Sequence, residues 1–64
     1  MTTNNRLKAA RVGKGLTQFQ LADLIGKQEI DISRFETGRA TPDADTKLRI
    51  AEILEKPAYE LFLN

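Results

Sequence analysis

The side chains in this chain best suited to chemistry fall between Gln28 and Thr37, and they are hydrogen-bonding groups. Gln28, Glu29, Ile30, Ser33, Arg34 and Thr37 recur at three- and four-residue steps, which places them on one face of a helix. An amide, a carboxylate, a hydroxyl and a guanidinium on one face suit recognition by hydrogen bonding. Catalysis has little to work with. Histidine is absent, which removes the usual general base and the commonest zinc ligand. Cysteine is absent too, so neither thiolate chemistry nor a disulfide is available. Asp43 and Asp45 come nearest to a carboxylate pair, but acids at the start of a helix are better explained by its dipole. No enzyme, metal or cofactor is expected.

The elements that must position these groups are all helical. Leu7 and Ala10 share a face of a first helix, about Asn5 to Lys14, whose end is bracketed by Gly13 and Gly15. Leu16 is a core candidate. Thr17 caps a second helix, and Gln20 three residues later completes a capping box. Leu21, Ala22, Leu24 and Ile25 are expected to form the apolar face of that helix. Gly26 stops it by tolerating positive φ. A third helix, about 28–37, turns Ile32 and Phe35 inward and closes at Gly38. Pro42 marks a boundary, and Asp43 caps a fourth helix over about Ala44 to Glu55. There Leu48, Ala51 and Leu54 form a stripe at three-residue steps, with Ile50 and Ile53 beside it. Pro57 suits the first turn of a short last helix, AYELFL. No period-two alternation competes, so the class is all-α. Residues 1–64 are read as a single domain with residues 1–4 frayed.

At 64 residues such a chain buries about 60% of its unfolded surface, so stability is modest. No apolar run reaches the ~20 residues needed to span a bilayer, and MTTNN lacks the pattern of a signal peptide. A cytoplasmic location is the expectation, with no membrane partner. The net charge of +1 is unevenly spread. Residues 1–39 carry seven Lys/Arg against four Asp/Glu, a net of +3, while residues 40–64 carry three against five, a net of −2. That asymmetry would orient a basic front towards a polyanion. Taken alone, it is better read as an ordinary solvated surface.

Longer stretches are more specific. LTQFQLADLIG, ISRFETGRATPD, the RLKAAR before them and the LRIAEIL and ELF after them resemble the helix-turn-helix domain of lambda-repressor and Cro-like regulators, of the xenobiotic-response-element type. The resemblance covers about Arg6 to Phe62. It implies a compact five-helix fold with the helix-turn-helix formed by helices 2 and 3. In it Ala22 is the small residue at the helix crossing, Gly26 the turn, and Ile32 with Phe35 the packing face. Arg11 and Glu36 match a pair that ties the first helix to the third in such domains. The resemblance further implies a sequence-specific transcription regulator, a repressor, that lays helix 3 in the major groove of double-stranded DNA. The base-reading candidates are then Gln28, Glu29, Ile30, Ser33 and Arg34. Arg34 suits guanine O6 and N7, Glu29 a cytosine amino group, and Ile30 a thymine methyl. Gln18, Thr37, Arg39 and Thr41 are the candidates for phosphate contacts, which set register without reading sequence. Regulators of this kind bind palindromes as two-fold homodimers, and Tyr59, Leu61, Phe62 and Leu63 offer apolar surface for core, dimer contact or both.

Some residues depart from the family pattern. Lys27 replaces an apolar residue and Phe19 a charged one, while Glu29 and Asp31 weaken the positive character of helix 3. These departures keep open a second function, a protein-interaction or antitoxin-like module using Glu29, Ile30 and Asp31. A DNA complex would weaken steeply with salt, whereas a protein complex held by Ile30 and Phe19 would not.

Overall fold

Asp43, Thr17 and Asn4 each stand immediately before a helix, and each does what a short polar side chain can do there. The computed structural model describes residues 4–62, and in it every one of these side chains accepts from the amide three residues on. The distances are 3.0 Å for Asn4, 3.0 Å for Thr17 and 2.9 Å for Asp43. Gln20 reciprocates by accepting from the Thr17 amide at 2.9 Å, so the capping box is complete. The helices are α1 (Asn5–Gly13), α2 (Gln18–Leu24), α3 (Glu29–Thr37), α4 (Ala44–Leu54) and α5 (Ala58–Leu61). Among the described residues there is no strand, and no helix is long and apolar enough to cross a membrane. Most ends fall a residue or so inside the expected ones. Gln28 and Pro57 precede their helices, and Lys14 and Glu55 follow theirs.

The first four helices close alike. A residue with positive φ (Gly15, Gly26, Gly38 or Glu55) is followed by an amide that donates back across the last turn. The bonds run from Leu16 to Arg11, Lys27 to Ala22, Arg39 to Arg34 and Lys56 to Ala51, at 2.8–3.2 Å. Three of the four positions use the residue that enters this region at no steric cost. Glu55, at φ 57°, does not. Its carboxylate also lies at the negative end of the α4 dipole. Lys14 answers it at 2.8 Å and holds the Glu55 carboxyl below the usual carboxylate range.

The core gathers one face from each helix: Leu7 and Ala10 from α1, Leu21 and Ala22 from α2 with Ile25 just after it, Ile32 from α3, Ile50, Ala51 and Leu54 from α4, and Leu61 from α5. Leu16, Phe35, Ile53, Ala58 and Phe62 pack on its edges. Two expectations fail. Leu24 is 59% exposed and Leu48 is 61% exposed. Both lie off the buried stripe of their helix: Leu48 precedes Ile50 by two positions, a rotation of about 200°. The place expected of Leu48 is taken by Thr46, buried in line with Ile50 and Leu54. In the last helix Leu61 is buried and Tyr59 exposed, and Phe62 just after it is half-buried; Leu63 lies outside the described residues.

Asn4 corrects the frayed start, for which residues 1–3 lie outside the described residues. Besides capping α1, its amide group donates to the Leu61 carbonyl at 2.7 Å, and its backbone N–H donates to the Glu36 carbonyl at 2.8 Å. One residue thus ties the start of α1 to α3 and to the last turn.

Beneath it lies a buried charge pair. Arg11 Nε donates to Glu36 Oε2 at 2.6 Å and its Nη2 to Oε1 at 3.3 Å, while Nη1 donates to the Leu16 carbonyl at 2.7 Å. Gln18 adds a 3.0 Å donation to Glu36 Oε1. No buried side-chain polar atom among the described residues is left without a partner. Such a pair adds little net stability, but removing one member strands the other, typically at ~3–5 kcal/mol. That equals the whole reserve of a core this size, about 3–5 kcal/mol. Glu36→Ala is therefore expected to be largely unfolded at room temperature by circular dichroism, and an unchanged melting curve would refute the account. Glu55→Gly should act in the opposite direction. It relieves the left-handed strain and loses only a surface ion pair, so calorimetry should show Tm rising by a few degrees.

Candidate nucleic-acid interface

The buried pair has a consequence for α3. Ile32 and Glu36 face inward, with Phe35 beside them, so the remaining side chains are turned out. Glu29, Arg34 and Thr37 are exposed, Ile30 is 49% exposed, and Ser33 is half-buried. Gln28 is exposed just before the helix. All the base-reading candidates thus lie along or immediately before one exposed strip of α3. Arg39 and Thr41 are exposed in the loop that follows.

Three of the residues have other duties that sequence reasoning missed. Asp31, counted against the surface as a loose negative charge, accepts from the Gln28 backbone N–H at 3.1 Å. It thereby satisfies one orphan donor of the helix start and sits where the dipole favours an anion. An acidic residue three positions after a polar one at a helix start is the signal that would have found it. Gln18 is half-buried and turned to Glu36, so one of its two amide hydrogens is committed. The Thr37 hydroxyl lies 2.9 Å from the Ser33 carbonyl, the back-bond threonine commonly makes in helices. It must leave that bond to donate to a phosphate.

The charge balance improves as a result. Glu36 is neutralised by Arg11, and Asp31 keeps its charge but sets it against the positive end of the helix dipole, which leaves Glu29 as the one carboxylate of α3 with no partner among the described residues. Against it stand Lys27, Arg34 and Arg39, none of them in an ion pair among the described residues. The Asp43 carboxyl is held below its usual range, first by the Thr46 hydroxyl and amide and also by the nearby Lys27 and Arg49 charges. Lys27 therefore stands near the start of α4 with its charge free. Among the described residues no cluster of acidic groups could hold a metal ion.

A short capped α2, a glycine turn and an outward-faced α3 held across it define a helix-turn-helix unit. The chain belongs to the helix-turn-helix domain family, whose profile matches residues 4–64. That family is one of DNA-binding regulators rather than enzymes. Over 49 residues, 77% of this chain, it is 37% identical to the SPbeta prophage-derived uncharacterized HTH-type transcriptional regulator YonR of Bacillus subtilis (strain 168). The fold is similar to the crystal structure of the transcriptional regulator BswR, with a TM-score of 0.80 and 33% identity over 89% of this chain. The chain spans 45% of the length of the first relative and 60% of the second.

If Asp31 acts as an internal cap rather than as surface charge, Asp31→Ala should cost about 0.5–1.5 kcal/mol, the worth of one net hydrogen bond. Chemical denaturation measures it, and stability equal to the parent's would return Asp31 to the free surface.

Proposed function

We propose that this chain is a sequence-specific double-stranded DNA-binding transcription regulator, a repressor, that inserts α3 into the major groove. The observation that carries the reading is the exposed strip of α3, which holds Arg34 outside any ion pair among the described residues while the opposite side of the helix is locked by Arg11 and Gln18. Arg34 addresses guanine O6 and N7 with a bidentate fork, Glu29 accepts from a cytosine amino group, and Ile30 packs on a thymine methyl. Gln28 and Ser33 complete the reading set. Gln18, with its second amide hydrogen, and Arg39, Thr41 and Thr37 hold phosphates and fix the register. The α2 N-terminus, whose dipole favours anions, adds to the pull on one of them.

One copy covers a half-site. Two copies on a palindrome, with half-sites about 34 Å apart, complete the operator. The competing reading, a protein-binding patch of Glu29, Ile30 and Asp31, loses ground because Asp31 is turned to the Gln28 amide.

Selection of bound duplexes from a random pool at fixed, moderate salt tests the reading, and a recovered inverted repeat is the expected result. On the selected site, log affinity should fall linearly with log salt. Arg34→Ala should weaken binding by ~1–3 kcal/mol and relax the preference at one base pair. No enriched sequence, together with salt-insensitive binding to a protein, would sink the DNA reading. An equal loss on every duplex would make Arg34 a phosphate contact instead.

A further inference from the structure

Leu48 stands on the outer side of α4 at 61% exposure, away from Ile50 and the core. A shallow groove runs beside it, floored by Ala51, Pro57 and Ala58. Asp45, Arg49, Glu52, Glu55 and Lys56 edge that groove, and Glu55 is engaged by Lys14 at 2.8 Å. At about 100° per residue, Asp45, Leu48, Arg49 and Glu52 share one side of the helix, and Lys56, past the left-handed Glu55 that ends it, lines the same groove.

The order of charges on this face is the informative feature. With Glu55 taken up by Lys14, the remaining charges read acid, base, acid, base: Asp45, Arg49, Glu52, Lys56. An identical helix laid antiparallel presents base, acid, base, acid. With a two-fold axis crossing α4 between Arg49 and Glu52, Asp45 of each copy opposes Lys56 of the other. Arg49 likewise opposes Glu52, and each Leu48 comes down towards the other copy's groove. Every opposed pair has opposite sign. A face that complements itself on reversal suits an isologous contact, in which one patch serves both copies. Within the chain Asp45 and Arg49 pair at 3.2 Å on the open surface, while Glu52 and Lys56 have no ion-pair partner among the described residues.

We propose that this outer face of α4, centred on Leu48, is the surface through which two copies of the chain associate. The proposal rests on the dimeric part of the functional reading above and names a contact for it. Of the other described candidates, Leu61 and Phe62 are taken up by the core and its edge, while Tyr59 is exposed but does not line this groove. Apolar contact supplies the attraction, and the charge order selects the antiparallel register and disfavours a parallel one, in which like charges would meet.

Sedimentation equilibrium of the chain without DNA tests the surface. The expected result is a reversible monomer–dimer equilibrium, with Leu48→Glu weakening association at least about tenfold, a loss above ~1.4 kcal/mol. Its thermal unfolding should be unchanged, since Leu48 lies outside the core. Arg49→Glu should weaken association through like-charge contacts repeated by the two-fold, and adding Glu52→Arg should restore it. A parent chain that stays monomeric at all concentrations would overturn the proposal. So would dimers indifferent to Leu48→Glu, or a double variant no tighter than Arg49→Glu alone. Fluorescence anisotropy on a single half-site separates this from the DNA reading. Monomeric Leu48→Glu that still binds the half-site supports the surface, whereas a parent that dimerises but binds no DNA removes only the DNA reading.

Discussion

The arrangement of this protein depends on one buried ion pair. Arg11 comes from α1 and Glu36 from the last turn of α3, and Gln18 at the start of α2 joins them. The Leu16 carbonyl, from the connection between α1 and α2, accepts the remaining Arg11 donor. Two charges are thus removed from water in a core too small to absorb an error. Their mutual attraction only about offsets that desolvation, so the pair contributes geometry more than stability. It allows one relative placement of three helices, because any other leaves a charge without a partner. Asn4 carries the same logic one step further by bonding to α3 and to α5.

Fixing one side of α3 in this way defines the other. Ile32 and Glu36 cannot turn outward without exposing a core residue and breaking the pair, so Arg34, Glu29 and Ile30 cannot turn in. The surface that results is modest in charge but not muddled. Its two troublesome acids are both occupied, Glu36 with Arg11 and Asp31 with the first turn of its own helix. This exposed face owes its orientation to contacts made entirely behind it.

Much of the local structure was legible. Thr17 with Gln20, Asp43, Gly26 and Gly38 each mark a helix end because the interaction responsible is made within four or five residues of chain. The Arg11–Glu36 pair was legible only through resemblance, since nothing local relates residues 25 apart. Leu24 and Leu48 were misjudged for a related reason. In α4 the apolar residues trace two overlapping stripes, and hydropathy favours the one through Leu48. Packing against α5 and the rest of the core selected the other, and Thr46 filled it. Of the side chains proposed for the candidate site, all are exposed except the half-buried Gln18 and Ser33. The private commitments of Asp31, Gln18 and Thr37 were invisible, because a polar residue at a helix end serves its own backbone or a ligand with the same atoms.

By itself, then, the sequence determined the helices, their caps and turns, the all-α class and the absence of histidine and cysteine chemistry. All of these follow from residue identity and short-range hydrogen bonding. Tertiary structure decided which stripe of each helix is covered, that Asn4 is a tether rather than a tail, and that Asp31 works for the fold. It also decided that Leu48 lies open on α4. Those outcomes depend on which surfaces meet, and burial is won by the set of faces that closes one core with every buried charge paired.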